Sequence, residues 1–356
     1  MAKKRKILYA VLDWGLGHAT RSLPIIRELA KNNDVTVLST GRSLNLIKNE
    51  LPGLKFIDHT DYSVKYTKKG WVLIFSLALQ LPKILLKLKE EHSFAEKLVE
   101  EQKFDRIISD NRYGIYSNNI PSYFITHQLK FKLPKGFEKL EFFSEFFNKR
   151  YFRRYRKVFI PDSGSDQNLS GSLSHDLKSI KSIKLTYTGI LADIDSSKEE
   201  IKSDFLIIIS GPEPQRTLFE KKAIEQASEL KGKTIIVCGK PESSEIRKVG
   251  SIEIYGHASR KELSAMVRGT ELIISRPGYS SVMEIVSLNK KALFIPTPGQ
   301  TEQEYLADYY KGKQYFYSVS QDKMDLKNDI REAVKMSCNI MIEPNNIGGL
   351  INEVLS

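Results

Sequence analysis

Short runs of β-branched and aromatic residues alternate with stretches of helical spacing along almost the whole chain. In the first half such runs predict strands at 7–12, 35–39, 55–58, 105–109, 122–126 and 158–161. Between them Leu23, Ile26 and Leu29 share one helical face, and residues 73–100 read as a longer helix with a break near Pro82. Polar stretches at 162–176 and 192–204 interrupt the pattern, which then restarts. The second half predicts strands at 205–210, 234–238, 251–255, 272–275 and 292–295, with helices at 218–230, 261–268, 282–288 and 302–311. Such alternation predicts an α/β protein with parallel sheets covered by helices on both faces. The restart predicts two doubly wound, Rossmann-like domains, residues 1–190 and 191–339, with the stretch 340–356 packing back on the first. The length of 356 residues agrees with two domains.

Composition excludes several classes. A hydrophobic fraction of 41% and a charged fraction of 28% describe an ordinary globular protein. The N-terminal "MAKKRKILYAVLDWG" is basic and then apolar, but its apolar part is short and contains Asp13, so it reads as a first strand rather than a secretory signal. The longest apolar stretch, 71–88, is interrupted by Gln80, Pro82 and Lys83 and falls short of a membrane span. Cys238 and Cys338 match no metal or redox spacing and suit a reducing, cytoplasmic setting. Net charge is +12, concentrated at residues 129–157, where ten Lys/Arg meet three Glu among nine Phe/Tyr. That mixture fits an anionic membrane surface or a solvated helix with its aromatics in the core; nucleic acid fits less well.

In doubly wound sheets ligands bind outside the carboxyl ends of the strands. The predicted strand ends carry "DWGLGHATR", "SDNRYG" and "THQ" in the first half, and "SGPEPQR", "CGK", "YGHAS", "SRPGYSS" and "PTPGQTEQE" in the second. Polar and glycine-rich residues thus gather where one cleft between two facing sheets would lie. In the turn after the first strand, Gly15 and Gly17 allow close backbone approach, while His18 fits three roles: general base, contact to a diphosphate or acceptor, and structural histidine of the turn. Asp110 and His127 stand at neighbouring strand ends as a second base, as groups that orient it, or as buried hydrogen-bonded polar residues. Arg21 is equally an anion contact or a solvated helix residue.

Residues 271–307 hold the densest chemistry. A strand ends at Ser275, Pro277–Gly278 turn, and a helix begins near Tyr279–Ser281, so that backbone N–H groups and a helix dipole suit a diphosphate. Ser280 and Ser281 can add hydroxyl donors, and Glu284 lies where a carboxylate could accept from a ribose diol. A capped helix with an acidic first turn explains the same spacing equally well.

Ser275, Arg276, Gly278 and Glu284 resemble, in order and spacing, the C-terminal donor-binding signature of family 28 glycosyltransferases. That family includes the UDP-N-acetylglucosamine transferase of peptidoglycan lipid precursor synthesis. "PGQTEQEYLA" is similar to its donor-sugar loop, with Gln303 at the matching position and Gln300 and Glu302 close by, although Leu306 replaces the family's asparagine. "SGPEP", with Ser210 and Gly211, stands where the family has a second glycine-rich loop. "YGHAS", with Tyr255, Gly256 and His257, resembles the loop that holds the uracil, and Gly15–His18 resembles the family's opening turn. The match is weak between residues 40 and 160, the acceptor half.

The resemblance implies a GT-B fold and transfer from a UDP-sugar, with inversion, to an acceptor hydroxyl. It implies no cofactor and no essential metal. "DID", residues 193–195, mimics a metal-binding Asp-x-Asp but falls in the inter-domain stretch. The aromatic–basic segment favours a lipid-linked or membrane-proximal acceptor and a peripheral place on the cytoplasmic membrane face. A nucleotide-sugar 2-epimerase or hydrolase on the same fold, and a non-catalytic nucleotide-sugar or nucleic-acid binding protein, are the competing readings.

Overall fold

The structure, a computed structural model, describes residues 4–62, 70–134, 136–193, 198–240, 243–337, 340–343 and 345–356, with side chains of the first long helix from residue 79 onward. Two compact units emerge, Met1–Asp193 with Ile342–Ser356, and Ile194–Met341.

The N-terminal unit runs β1 (Lys6–Val11), α1 (Leu16–Ala30), β2 (Asp34–Ser39), α2 (Gly41–Glu50), β3 (Lys55–Asp58), α3 (Gly70–Gln102), β4 (Arg106–Asp110), β5 (Ser122–Ile125), α4 (Glu141–Phe152), β6 (Lys157–Ile160) and β7 (Leu185–Tyr187). Its strands form one parallel sheet in the order β3-β2-β1-β4-β5-β6-β7. Ile7 through Val11 are wholly buried, as expected for a central parallel strand covered on both faces. Ile7, Tyr9 and Val11 face one core with Ala19, Leu23 and Ile26 of α1; Leu8 and Ala10 face another with Ala95, Leu98 and Val99 of α3. The side-chain period of two thus separates the two helical layers.

The C-terminal unit runs β8 (Ser203–Ile208), α5 (Gln215–Ala227), β9 (Thr234–Val237), β10 (Ile246–Val249), β11 (Ile252–Tyr255), α6 (Arg260–Gly269), β12 (Thr270–Ser275), α7 (Tyr279–Ser287), β13 (Lys291–Phe294), α8 (Thr301–Gly312), β14 (Tyr317–Ser318) and α9 (Leu326–Lys335). The sheet order is β10-β11-β9-β8-β12-β13-β14, parallel except for the edge strand β10, which pairs antiparallel with β11. The chain then returns: α10 (Ile347–Leu355) packs Leu350, Ile351 and Val354 into the core shared by β1 and α1. Arg106 Nε donates to the Val354 carbonyl at 3.0 Å and Tyr123 Oη to that of Glu353 at 3.2 Å, which anchors the last helix.

Two local expectations are corrected. No break interrupts α3 at Pro82; the helix continues through it, forgoing one backbone donor. In α4 the aromatics do not all enter the core: Phe152 is buried, but Phe142, Phe143 and Phe146 are 55%, 59% and 63% exposed. The inward face of α4 carries Glu141, Glu145 and Asn148 instead. Glu145 accepts from Ser179 Oγ at 2.8 Å and Ile180 N at 3.2 Å, and Asn148 Oδ1 accepts from Tyr113 Oη at 3.0 Å. Asp193 of the "DID" stretch is an ion-pair partner of Arg27; Ile194 and Asp195 lie outside the described residues, as does Cys338. Cys238 is buried, and burial pushes its thiol up to about 11.

Candidate active site

Each sheet reverses its winding direction once, and there the connections diverge to leave a crevice. In the N-terminal unit this point lies between β1 and β4, in the C-terminal unit between β8 and β12. His18 follows β1 and Asp110 ends β4; Ser210–Gly211 follow β8 and Arg276–Gly278 follow β12.

Gly15, at the N-cap of α1, has φ +92 and ψ 159, a backbone state that only glycine adopts without strain. Gly17 and His18 then fall in the first turn of the helix. His18 Nδ1 lies 2.8 Å from Asp110 Oδ1, with His18 13% exposed and Asp110 fully buried. Arg21, one turn further and 2% exposed, grips the same carboxylate through Nε at 2.7 Å and through Nη2. Ser22 Oγ donates to Asp110 Oδ2 at 3.1 Å. Burial by itself would raise the Asp110 carboxyl, but the Arg21 charge, His18 and the hydrogen bonds from both override it and hold the group well below the usual carboxylate range. Arg21 Nη1 reaches His127 Nδ1 at 2.8 Å, and Arg21 Nη2 lies 2.9 Å from His18 Nδ1. The structure therefore brings His18, Asp110 and His127 together around one buried guanidinium. The view of Arg21 as a solvated helix residue is corrected, because its partner lies 89 positions away.

The rest of "SDNRYG" is also built for position. Asn111 has φ +57, and its buried Oδ1 has no hydrogen-bond partner among the described residues. Arg112 is buried against Glu91, with Nε to Oε1 at 2.9 Å, and donates to the His59 and Thr60 carbonyls at 2.8 and 3.0 Å. Trp14, beside the turn, meets Tyr62 edge-on at 5.7 Å between ring centroids.

In the C-terminal unit Gly278 is the N-cap of α7; it supplies no side chain, and the first turn holds no acidic residue. The alternative of a side-chain-capped, acidic helix start is thus set aside. Ser280 and Ser281 sit in that first turn, Ser281 exposed and Ser280 half-buried. Tyr279 is 3% exposed, so the side chain expected at the donor belongs to the interior of the unit. Glu284 pairs with Arg260, Nη1 to Oε1 at 3.0 Å. Arg260 escaped the sequence reading, although the capping box of Ser259 and Glu262 could have placed it at the first helical position of α6.

Arg276 is corrected from donor contact to internal pin. It is 2% exposed, lies over the Phe219 ring at 4.3 Å, and donates to the carbonyls of Ser210, Gln215, Ile295 and Pro296 and to Gln321 Oε1. Burial lowers its pKa to about 10. The guanidinium thus ties the loops after β8 and β13 to β12. Gly211 has φ +110, and a Cβ there would meet Thr297 Oγ1 at 3.3 Å; that buried hydroxyl has no hydrogen-bond partner among the described residues. Gln303 Oε1 accepts from Thr297 N at 2.9 Å, so this side chain shapes the loop. Gln300 is the N-cap of α8 and Glu302 lies in its first turn. Tyr255 ends β11, Gly256 packs where a Cβ would collide with Ser243, and His257 is exposed. Among the described residues no group of three or more His, Cys, Asp or Glu is placed to share a metal ion.

Residues 207–347 match the model of the glycosyltransferase family 28 C-terminal domain, and residues 5–117 match that of glycosyl transferase family 1. The chain has the GT-B fold, and its C-terminal unit matches the family 28 domain. Solved structures agree on the fold. The glycotransferase of kitacinnamycin superposes with a TM-score of 0.66 at 13% identity, covering 99% of this chain and 95% of that one. MurG of Acinetobacter baumannii gives 0.57 at 14% identity, covering 99% of each. SsfS6 of Streptomyces sp. SF2575, complexed with thymidine diphosphate, gives 0.57 at 14% identity, covering 98% of this chain and 99% of that one. No curated protein sequence matches this chain.

Proposed function

We propose that this glycosyltransferase moves a hexose or N-acetylhexosamine from a UDP-sugar to an acceptor hydroxyl, with inversion at the anomeric carbon and without an essential metal. The observation that carries the donor side is α7: a glycine-capped helix start at the winding reversal, with Glu284 one turn in. Its N–H groups and dipole suit the diphosphate that departs, and Ser281 can add a donor. Glu284, held by Arg260, suits the ribose diol. On the acceptor side His18 accepts the hydroxyl proton at Nε2. The freed oxygen forms the new bond to the anomeric carbon as the bond from that carbon to the β-phosphate oxygen breaks, and UDP leaves with the electron pair. A related GT-B protein solved with thymidine diphosphate supports a pyrimidine nucleotide.

A thermal-shift panel of UDP-, GDP- and dTDP-sugars tests the donor, since only a ligand of the native state raises the midpoint. UDP-sugars are expected to give the largest shift. Glu284→Ala is expected to weaken UDP about 10- to 100-fold, in line with losing hydrogen bonds to a charged group. A larger shift with GDP-sugars, or undiminished UDP binding by the variant, overturns the assignment. Free or epimerised sugar as the main product, with acceptors present, would favour the hydrolase or epimerase instead.

The acceptor reading is membrane-proximal, and inverted α4 supports it. Phe142, Phe143 and Phe146 face outward beside Lys139, Arg150, Arg153 and Arg154, while Leu79 and Leu86 of α3 are 82% and 60% exposed. The described residues include no helix long and apolar enough to span a bilayer. Insertion of such side chains with basic flanks gives interfacial binding. Co-sedimentation with phosphatidylglycerol-containing vesicles at low salt is expected, and Phe142→Ser/Phe143→Ser/Phe146→Ser should abolish it while leaving UDP binding unchanged. Equal sedimentation of both proteins removes the membrane from the reading.

A further inference from the structure

We infer that Arg21 and Asp110 are positioning residues that together fix the two histidines of the N-terminal site in opposite tautomers, so that His18 offers the acceptor substrate a lone pair and His127 offers it an N–H. The inference rests on glycosyl transfer at this crevice.

A guanidinium only donates. Arg21 Nη1 lies 2.8 Å from His127 Nδ1, so that nitrogen is the acceptor and the ring proton of a neutral His127 sits on Nε2. The Gln128 amide nitrogen lies 3.5 Å from Nε2, at the outer limit of a hydrogen bond. His18 differs because Asp110 intervenes. Its Nδ1 lies between two groups, Asp110 Oδ1 at 2.8 Å and Arg21 Nη2 at 2.9 Å, and one nitrogen cannot accept and donate at once. An ionised carboxylate at 2.8 Å would repel a bare lone pair but is satisfied by a proton on Nδ1. Nη2, one of whose two protons goes to Asp110 Oδ1, does not require Nδ1 as an acceptor. Nδ1 of His18 therefore carries the proton, and its Nε2 is the base. Arg21 and Asp110 together make two chemically identical rings unlike.

Each ring then has a separate task. A sugar or lipid-linked sugar acceptor presents hydroxyls, each both donor and acceptor. His18 can take the proton of the attacking hydroxyl while the His127 N–H holds a lone pair of that oxygen or of its neighbour. Two lone pairs would leave the acceptor unoriented, and two N–H groups would leave it without a base.

Nitrogen-15 NMR of the full chain, ring-labelled at its six histidines and assigned with His18→Gln and His127→Gln, reads the tautomers directly. At neutral pH His18 should appear protonated at Nδ1 and His127 at Nε2; a shared tautomer, or His127 protonated at Nδ1, overturns the inference. In Arg21→Lys the His127 signal should move toward a mixture of tautomers. Should that variant not fold, the wild-type spectrum decides alone. Kinetics give a second readout: His127→Leu should raise the acceptor KM about tenfold or more and keep the acid limb of the pH profile. His127→Gln, which retains an N–H, should recover most of that loss. Equal damage by Gln and Leu, or a vanished acid limb, also overturns it. If no UDP-sugar is turned over, the functional proposal falls, while the tautomer spectrum still tests the role of Arg21.

Discussion

Replacing His18 by alanine is expected to lower kcat by about 10²- to 10⁴-fold, the usual contribution of a positioned general base. UDP-sugar affinity should stay within about threefold, because the residues assigned to the nucleotide belong to the other unit. The pH profile separates base from bystander. An imidazole base works only when unprotonated, so the wild-type rate falls on the acid side. In the variant that acid limb should vanish, and the small residual rate should rise with pH as hydroxide competes. Stopped assays of sugar transfer across pH 5 to 9 would show this. A variant that keeps more than a third of wild-type kcat, or that keeps the acid limb, removes His18 from the chemistry.

The expected size of that effect rests on contacts that the sequence discloses only in part. Strand positions were legible because β-branched runs such as "KILYAV" and "TELIIS" are buried on both faces, and the polar residues that end them mark the ligand edge of each sheet. The strands at 246–249, 185–187 and 317–318 were not legible. They are short and sit at sheet edges, where partial exposure erases the hydrophobic run. The segment 129–157 misled for a related reason. Phenylalanines usually signal a core face, yet in α4 the buried face is held by Glu141, Glu145 and Asn148 through hydrogen bonds to loops. No periodicity rule anticipates a helix whose polar side points inward.

Arginines were the least legible of all. Arg21, Arg112 and Arg276 are among the largest fully buried side chains, each satisfied by partners distant in sequence. Composition treats such residues as surface charge, and a family signature treats Arg276 as a ligand contact. Their work is to fix neighbouring groups. Arg21 orders a carboxylate and two imidazoles, and Arg276 ties the loops after β8 and β13 to β12. Catalytic residue types can be read from strand ends; what holds them at the right angle is a matter of burial, known only from the fold.

That dependence sets the second large expectation, on Asp110→Asn. The substitution keeps shape but leaves the Arg21 guanidinium buried without its counter-charge, and breaking one side of a buried pair costs about 3–5 kcal/mol. For a unit of this size the unfolding midpoint should fall by roughly 6–20 °C. The sign with pH follows from the depressed Asp110 pKa. A carboxylate held below its unfolded value contributes stability above that value, near 3.9, and loses the contribution as the folded group is forced to protonate. The gap between wild type and variant should therefore be full at pH 7 and shrink as pH falls from about 5 toward 2. Adding Arg21→Met to the variant should restore part of the loss, since removing both charges abolishes the burial penalty as well as the attraction. Calorimetry of the three proteins at several pH values reads all of this. A midpoint for Asp110→Asn within about 2 °C of wild type at pH 7, or a gap that widens in acid, would mean that Asp110 is not the buried anion around which His18, Arg21 and His127 are arranged.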